Sequence, residues 1–328
     1  NDMDSPLILS IKKQVGKVVS KKKILTSLNL SDKKIRYLPD YLFGLDTITK
    51  LDLSENKLSS IPDDIEKLVN IKELSVSENN LQTLPSSICK LKALTVLDVS
   101  CNQMGMDNGS FLFPECIGQL INLTVLYGDY NKCFPLPESF SNLTALQTLS
   151  LFQCSDETPV DFPIQITALS NLRTLNIGSN SFREIPAAIA NLTNLKYINL
   201  SSSLCYLKSV PDLSALKSLT ILDASGARNF SGRPDPDPSI IASFFTAPNL
   251  VELNISGFKN KLEAGHLEGI GNLKKLEILD ISSNNITKFP GEIFTLSSLK
   301  KLRAVNANID RREIVKLTEF IPDIKIET

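Results

Sequence analysis

Few side chains in this sequence can do chemistry, and their spacing leaves most of them without a reacting partner. There is one histidine, His266, and there are six cysteines: Cys89, Cys101, Cys116, Cys133, Cys154 and Cys205. Structural zinc needs Cys and His ligands in closely spaced pairs. No Cys-x-x-Cys and no second histidine occurs, so no metal is expected. A histidine-based triad could use only His266, within Leu262-Glu-Ala-Gly-His266-Leu, and no Gly-x-Ser-x-Gly nucleophile turn accompanies it. Neither a GxxxxGK[ST] nor a GxGxxG loop is present to cradle a phosphate, so no nucleotide cofactor is expected. Adjacent carboxylates such as Asp63-Asp64 read as ordinary solvated charges. The chain is therefore expected not to be an enzyme.

The cysteines stand mid-chain, with none in the first 88 residues or the last 123, where a secreted repeat protein staples its ends. They read as reduced, buried thiols acting as small apolar side chains, which points to a reducing compartment. Nine Asn-x-Ser/Thr triplets occur, at Asn29, Asn108, Asn122, Asn142, Asn191, Asn199, Asn229, Asn254 and Asn285. Most arise from a recurring Asn-Leu-Ser/Thr and are discounted as glycan acceptors.

Composition narrows the partner. With 35 basic and 36 acidic residues in 328, the formal charge is −1. Non-specific nucleic-acid binding draws its affinity from a basic excess, so nucleic acid is not expected. No apolar run approaches 18 residues, so no membrane span is expected. The apolar stretch Pro6–Ile11 stops at Lys12-Lys13, too short for a signal peptide. The first residue is not Met, as expected of a fragment.

Self-similarity decides the architecture. Ile48-Thr-Lys-Leu51-Asp-Leu53-Ser-Glu-Asn56-Lys-Leu58-Ser-Ser-Ile61-Pro62 aligns with Ile71-Lys-Glu-Leu74-Ser-Val76-Ser-Glu-Asn79-Asn-Leu81-Gln-Thr-Leu84-Pro85, both reading LxxLxLxxNxLxxLP. Twelve copies begin at Leu25, Ile48, Ile71, Leu94, Leu123, Leu146, Leu172, Leu195, Leu219, Leu250, Leu276 and Leu299. The period-two Leu51-Asp52-Leu53 predicts a short strand with leucines inward. Asn56, Asn79, Asn102, Asn131, Asn180 and Asn284 fall at a turn where an amide can pair neighbouring backbone. Cys154, Ser203 and Ala227 replace that asparagine, and Phe258 stands there in the tenth copy. The Leu-Pro step turns the chain, and apolar residues at i and i+3, as in Ile65 and Leu68, predict a helical turn behind the strand. One unit cannot bury its leucines alone; stacked copies can.

This resembles the leucine-rich repeat family over residues 25–309. The resemblance implies an α/β solenoid, a curved horseshoe with a parallel β-sheet on its concave face and short helices or turns on its convex face. The whole chain, 1–328, is expected to be one domain: a helical cap over 1–24, about twelve repeats over 25–309, and a C-terminal cap over 310–328. Ser5-Pro6 begins an amphipathic helix over 5–22, with Ile8, Ile11, Val15 and Val18 on one face; a membrane-surface helix is the rival reading. Asp310-Arg-Arg-Glu313 has capping-box character ahead of Ile314, Leu317 and Phe320, and a strand-like Ile324-Lys-Ile326 follows. Inserts lie at 104–113, near 155–161, at 228–238 and at 257–271, and are candidate binding loops or tolerated surface loops.

Function in such a solenoid is expected on the concave strand face. Repeats two to five present Asp52, Glu55, Glu73, Glu78, Asp98 and Asp129 there against Lys50 alone. Val96, Val125, Tyr127, Tyr130 and Phe152 sit among them, and Tyr197 continues the patch two repeats on. Exposed aromatics on a rigid sheet with acidic neighbours are the composition of an interface for a basic partner. The partner-binding set is thus Val96, Asp98, Val125, Tyr127, Asp129, Tyr130, Phe152 and Tyr197. The 23-residue form looks like the intracellular Ras-group and Roco-type repeats, which implies a cytoplasmic protein-interaction scaffold for a small GTPase or another signalling protein. A receptor ectodomain or surface adhesin, and the targeting region of a larger secreted effector, are the alternatives.

Overall fold

A computed structural model describes residues 6–19, 24–102, 112–226 and 232–328. The chain divides into two compact units, 1–154 and 155–328.

In the first unit, helix α1 (Pro6–Val19) precedes six three-residue strands: β1 (Ser27–Asn29), β2 (Lys50–Asp52), β3 (Glu73–Ser75), β4 (Val96–Asp98), β5 (Val125–Tyr127) and β6 (Thr148–Ser150). They pair in parallel without slippage, so Leu28, Leu51, Leu74, Leu97, Leu126 and Leu149 form one row. Each of these leucines is buried, as the alternation predicts. A slip of one residue would turn every leucine to solvent, which is why the register is uniform.

Behind the strands run 3-10 turns such as Asp63–Lys67, Ser86–Lys90 and Glu138–Asn142. The proline of the Leu-Pro step stands immediately before each of these, with Pro62 at φ −70°, and its carbonyl accepts from Ile65 N at 3.0 Å. The missing N–H costs nothing there because a first-turn donor has no partner inside a helix. The turns of successive repeats pack closely enough that a Cβ on Gly118 would lie 2.1 Å from the Ser139 carbonyl oxygen.

The second unit carries β7 (Thr174–Asn176), β8 (Tyr197–Asn199), β9 (Ile221–Asp223), β10 (Glu252–Asn254), β11 (Ile278–Asp280), β12 (Lys301–Arg303), helix α2 (Arg311–Phe320) and β13 (Lys325–Glu327). Its parallel register runs Leu175, Ile198, Leu222, Leu253, Leu279, Leu302, Ile326. The C-terminal Ile-Lys-Ile segment is thus a true strand, shifted by one residue from its expected bounds.

The caps follow the sequence in outline and depart in detail. Ile8 and Ile11 are buried, Val15 is half-buried, and Gln14 Nε2 donates to the Asn29 carbonyl at 2.9 Å, so α1 closes the first strand row. Ser5, residues 20–22 and the Val18 side chain lie outside the described residues. At the other end Asp310 caps α2 by accepting from Arg312 N at 2.8 Å. The Glu313 carboxylate does not complete a capping box; it accepts from Phe289 N at 2.9 Å in the preceding repeat. Of the apolar residues along α2, Ile314 is half-buried. Leu317 is buried, whereas Phe320 is 60% exposed and packs its ring on Phe294, 5.2 Å away.

A second correction concerns the thiols. Cys89 and Cys116 are joined in a disulfide, so the reading of six reduced cysteines fails for this pair. Cys89 lies in the turn Ser86–Lys90 and Cys116 directly before the next turn, Ile117–Gln119. Stacking brings consecutive back-face turns side by side, and the Cα atoms come within 6.0 Å, inside disulfide reach. Cys101, Cys133, Cys154 and Cys205 take no part in a disulfide among the described residues.

Candidate protein-interaction face

The strand face of the first unit is laid out by the register. One row, at the fifth repeat position, runs Asn29, Asp52, Ser75, Asp98, Tyr127, Ser150; the row two residues earlier runs Ser27, Lys50, Glu73, Val96, Val125, Thr148. Val96 and Val125 are half-buried, while Tyr127 is 36% exposed. The sheet therefore places Val96, Asp98, Val125 and Tyr127 together.

Strand exit is fixed by a device the sequence shows once its purpose is known. An Asp or Asn at the fifth position is followed two residues later by Ser, and its side-chain oxygen accepts that residue's N–H in an Asx turn. Ser54 donates to Asp52 at 3.0 Å, Ser100 to Asp98 at 3.0 Å, and Ser201, Ser225, Ser256 and Ser282 do the same for Asn199, Asp223, Asn254 and Asp280. Three Asn-x-Ser triplets, at Asn29, Asn199 and Asn254, are accounted for by this turn, since each asparagine Oδ1 is engaged. Asn122 is likewise tied to the Lys92 carbonyl at 2.8 Å. Asn108 and Asn229 lie outside the described residues.

The residue before the asparagine position takes a left-handed backbone: Glu55 has φ 55°, Glu78 53°, Cys101 55°, Tyr130 56° and Gln153 51°. This recurring conformation, unfavourable for a side-chain-bearing residue, carries Glu55, Glu78 and Tyr130 to the exposed edge of the face. Tyr130 is 48% exposed and meets the Phe152 ring edge-on at 5.5 Å. Such a pair presents a rigid aromatic surface with few rotors to freeze.

Asp129 sits differently from the other acidic residues. It is half-buried, and its Oδ1 accepts from Ser150 Oγ at 2.6 Å and Phe152 N at 2.7 Å in the next repeat. Burial pushes its carboxyl above the usual aspartate range; the two hydrogen bonds oppose that rise, and the Asp98 charge adds to it. Asp129 thus joins β5 to the repeat that follows. Lys50 pairs with Glu73 at 2.7 Å, and that hydrogen bond holds its ammonium pKa up. Tyr197, the remaining member of the predicted set, lies on β8 of the second unit. It is half-buried, and desolvation, with the Asp223 and Glu252 charges, raises its phenol pKa.

Under the face runs the asparagine ladder. Asn79 Nδ2 donates to the carbonyls of Leu53, Val76 and Ser77, and its Oδ1 accepts from Leu58 N at 2.9 Å. Where Cys154 replaces asparagine, Sγ reaches the Gly128 carbonyl at 3.2 Å, and Cys133 Sγ meets the same oxygen at 3.4 Å. Complete burial pushes the Cys133 thiol well up, so it is inert as a nucleophile. Ser203 keeps one donor and one acceptor, to Ile177 O and from Asn180 N. Ala227 lies outside the described residues. Phe258 is fully buried, and its N–H is taken by Asn284 Oδ1.

The remaining candidates do not converge on a reactive centre. His266 Nδ1 accepts from Glu263 N within the turn Ala264–Leu267. Among the described residues no group of three His, Cys, Asp or Glu is placed to hold a metal, and no helix is long and apolar enough to cross a membrane. Of the insert 104–113 only Leu112 and Phe113 are described; both are buried, and Phe113 packs against Phe140 at 5.6 Å. In the described part of 228–238, Asp235 pairs with Lys259 and Lys261 and Asp237 caps the turn Pro238–Thr246.

A stacked parallel strand row, an asparagine ladder and back-face turns of one period are the defining parts of a known family, and sequence comparison agrees. A leucine-rich repeat region matches residues 62–162, and further leucine-rich repeat families match 23–81, 171–192 and 275–296. The chain is a leucine-rich repeat protein. A leucine-rich repeat protein of Leptospira interrogans is similar at 24% identity over 96% of this chain and 98% of that one, with a TM-score of 0.57. The functional domain of the Listeria monocytogenes internalin InlJ, which includes a cysteine ladder, shares 18% identity over 92% of this chain and 62% of that one, with a TM-score of 0.63. The ectodomain of the Arabidopsis thaliana receptor kinase GASSHO1/SCHENGEN3, solved with CASPARIAN STRIP INTEGRITY FACTOR 2, shares 21% identity over 85% of this chain and 38% of that one, with a TM-score of 0.53. At these identities the likeness is one of fold. No curated protein matches the chain. Leucine-rich repeat folds typically serve as non-enzymatic interaction scaffolds.

Proposed function

We propose that this leucine-rich repeat protein is a non-catalytic scaffold that binds a protein partner carrying a basic patch through the strand face of its first unit. The observation that carries this reading is the join of exposed Tyr127 and Tyr130 and half-buried Phe152 with the carboxylates Asp52 and Asp98, which form no salt bridge among the described residues. Aromatics supply desolvated area, and the negative field speeds association with a basic surface. Val96 and Val125 add apolar contact, and Asp129 holds the platform. The Ras-group character of the repeats favours a small GTPase or another signalling protein as partner, in the cytoplasm.

One observation favours a second reading. The Cys89–Cys116 disulfide belongs to an oxidising compartment, as a receptor ectodomain or surface adhesin would occupy. Peptide mapping of the protein from its native cell without reductant separates the two, since the cytoplasmic reading requires both thiols free. The interaction itself is tested by affinity capture and mass spectrometry with the wild type and with Tyr127→Ala/Phe152→Ala. A partner held by the wild type and lost from the double variant supports the face; equal recovery from both removes it.

A further inference from the structure

Resting on that interaction reading, we propose that the strand face of the first unit contains a cup for one arginine side chain of the protein partner, framed by Asp52, Asp98 and Tyr127. A cavity of about 210 Å³ opens on this face, with Asp52, Glu73, Ser75, Val96, Asp98 and Tyr127 among its lining residues. The register sets Asp52, Ser75, Asp98 and Tyr127 side by side on β2 to β5. With strands about 4.8 Å apart, the two aspartates stand about 10 Å from each other across the small Ser75. The floor is low at that serine and walled by a carboxylate on each side.

Charge selects the occupant. Among the described residues Lys50 is the one cation lining the cavity, and Glu73 holds it at 2.7 Å. Among the described residues neither Asp52 nor Asp98 forms a salt bridge, although the Asp52 charge acts on Lys50, and each uses Oδ1 to accept a serine N–H, which fixes the carboxylate while leaving Oδ2 for an incoming donor. Among the described residues no group of three His, Cys, Asp or Glu is placed to hold a metal ion, so a metal is not the occupant proposed. Phosphate or nucleic acid would be repelled. A guanidinium fits: its planar fork bonds a carboxylate in two places, and its face stacks on a phenol ring such as Tyr127. The Tyr130–Phe152 pair continues from β5 toward the next repeat, so a protein segment entering the cup has an aromatic surface to lie against.

The cup is tested with the whole chain, carrying isotope-labelled tyrosine, titrated with N-acetyl-arginine methylamide and with its uncharged isostere, N-acetyl-citrulline methylamide. The Tyr127 ring signals are assigned by their loss in Tyr127→Phe. Asp98→Asn is the diagnostic variant, because asparagine makes the same turn at this repeat position in Asn29, Asn199 and Asn254. The expected result is a saturable Tyr127 shift with the arginine probe, roughly tenfold weaker with citrulline and about three- to tenfold weaker in Asp98→Asn. Equal response to both probes, no saturable shift at Tyr127, or an unchanged response in Asp98→Asn overturns the proposal. If the cup fails while Tyr127→Ala/Phe152→Ala still loses the captured partner, the interaction reading stands without it. If the double variant retains the partner, the reading falls and the cup with it.

Discussion

Replacing Asn79 with alanine should destabilise the first unit by about 2–4 kcal/mol, and the hydrogen-bond ladder shows where that energy lies. Asn79 makes four hydrogen bonds, but they are not equally exposed to loss. The Leu53 carbonyl also accepts from Asn56 Nδ2, the Val76 carbonyl from Asn102 Nδ2 and the Ser77 carbonyl from Glu55 N. Each keeps one donor in the variant. The buried Leu58 N–H has Asn79 Oδ1 as its acceptor and would be orphaned. An orphaned buried amide costs about 1–3 kcal/mol, and the three lost second bonds with the small cavity add about 1 kcal/mol more. The assay is urea unfolding followed by circular dichroism, since the chain has no tryptophan, with hydrogen exchange to localise the loss to the repeats around Leu58. Asn79→Ser should recover part of the difference, because Ser203 shows that a hydroxyl in this position supplies one donor and one acceptor. A loss below about 1 kcal/mol for Asn79→Ala, at an unchanged unfolding slope, would refute the assignment of the ladder as the support of the strand row.

Three further outcomes are expected. Reducing Cys89–Cys116, or replacing both with serine, should lower stability by about 3.5 kcal/mol on the chain-entropy estimate for a 27-residue separation, read as a shift in the urea midpoint with and without reductant. Asp129→Asn should leave the protein at least as stable as wild type at pH 7, because the amide oxygen can still accept from Ser150 and Phe152 while no desolvated charge remains. The sign follows from the raised carboxyl: its favourable contribution is present below the unfolded pKa and is lost as pH rises through the folded value, so the variant's advantage should vanish on acidification. Asp310→Ala should fray α2, seen as faster amide exchange at Ile314 and Leu317 with little change elsewhere, because the cap on Arg312 N is lost. Arg312 also holds the Asp310 carboxyl down to about 2, so the cap should persist in wild type until strongly acidic pH.

How far the sequence carried depends on whether a feature repeats along the chain or arises across it. Leu51-Asp52-Leu53 announced β2 because alternation is local, and Asn56 and Asn79 announced the ladder because the same residue stands at the same offset each time. The hydrophobic members Val96, Val125 and Tyr127 were legible because position in the repeat sets which face a side chain takes. Lateral relations were not. Lys50 and Glu73 belong to adjacent repeats, and their pairing follows from register. Asp129 reads as one more acidic charge until Ser150 and Phe152 of the next repeat are brought against it. Cys89 and Cys116 are unremarkable by spacing and become neighbours only when back-face turns stack. Glu313 was expected to close its own helix, but the Phe289 N–H in the previous repeat was the needier donor. The Asx turns at Asp52 and Asp98 were legible in principle as an Asp/Asn-x-Ser pattern at fixed repeat positions.

The central claim, that a protein partner is taken up on the strand face around Tyr127 and Asp98, is tested most directly by hydrogen exchange of the chain with and without its captured partner. Slowed exchange concentrated at the strand exits of β2 to β6, around Ser54, Ser100 and Phe152, is the predicted result. Protection confined to the back-face turns Asp63–Lys67, Ser86–Lys90 and Glu138–Asn142, with the strand exits unchanged, would contradict it.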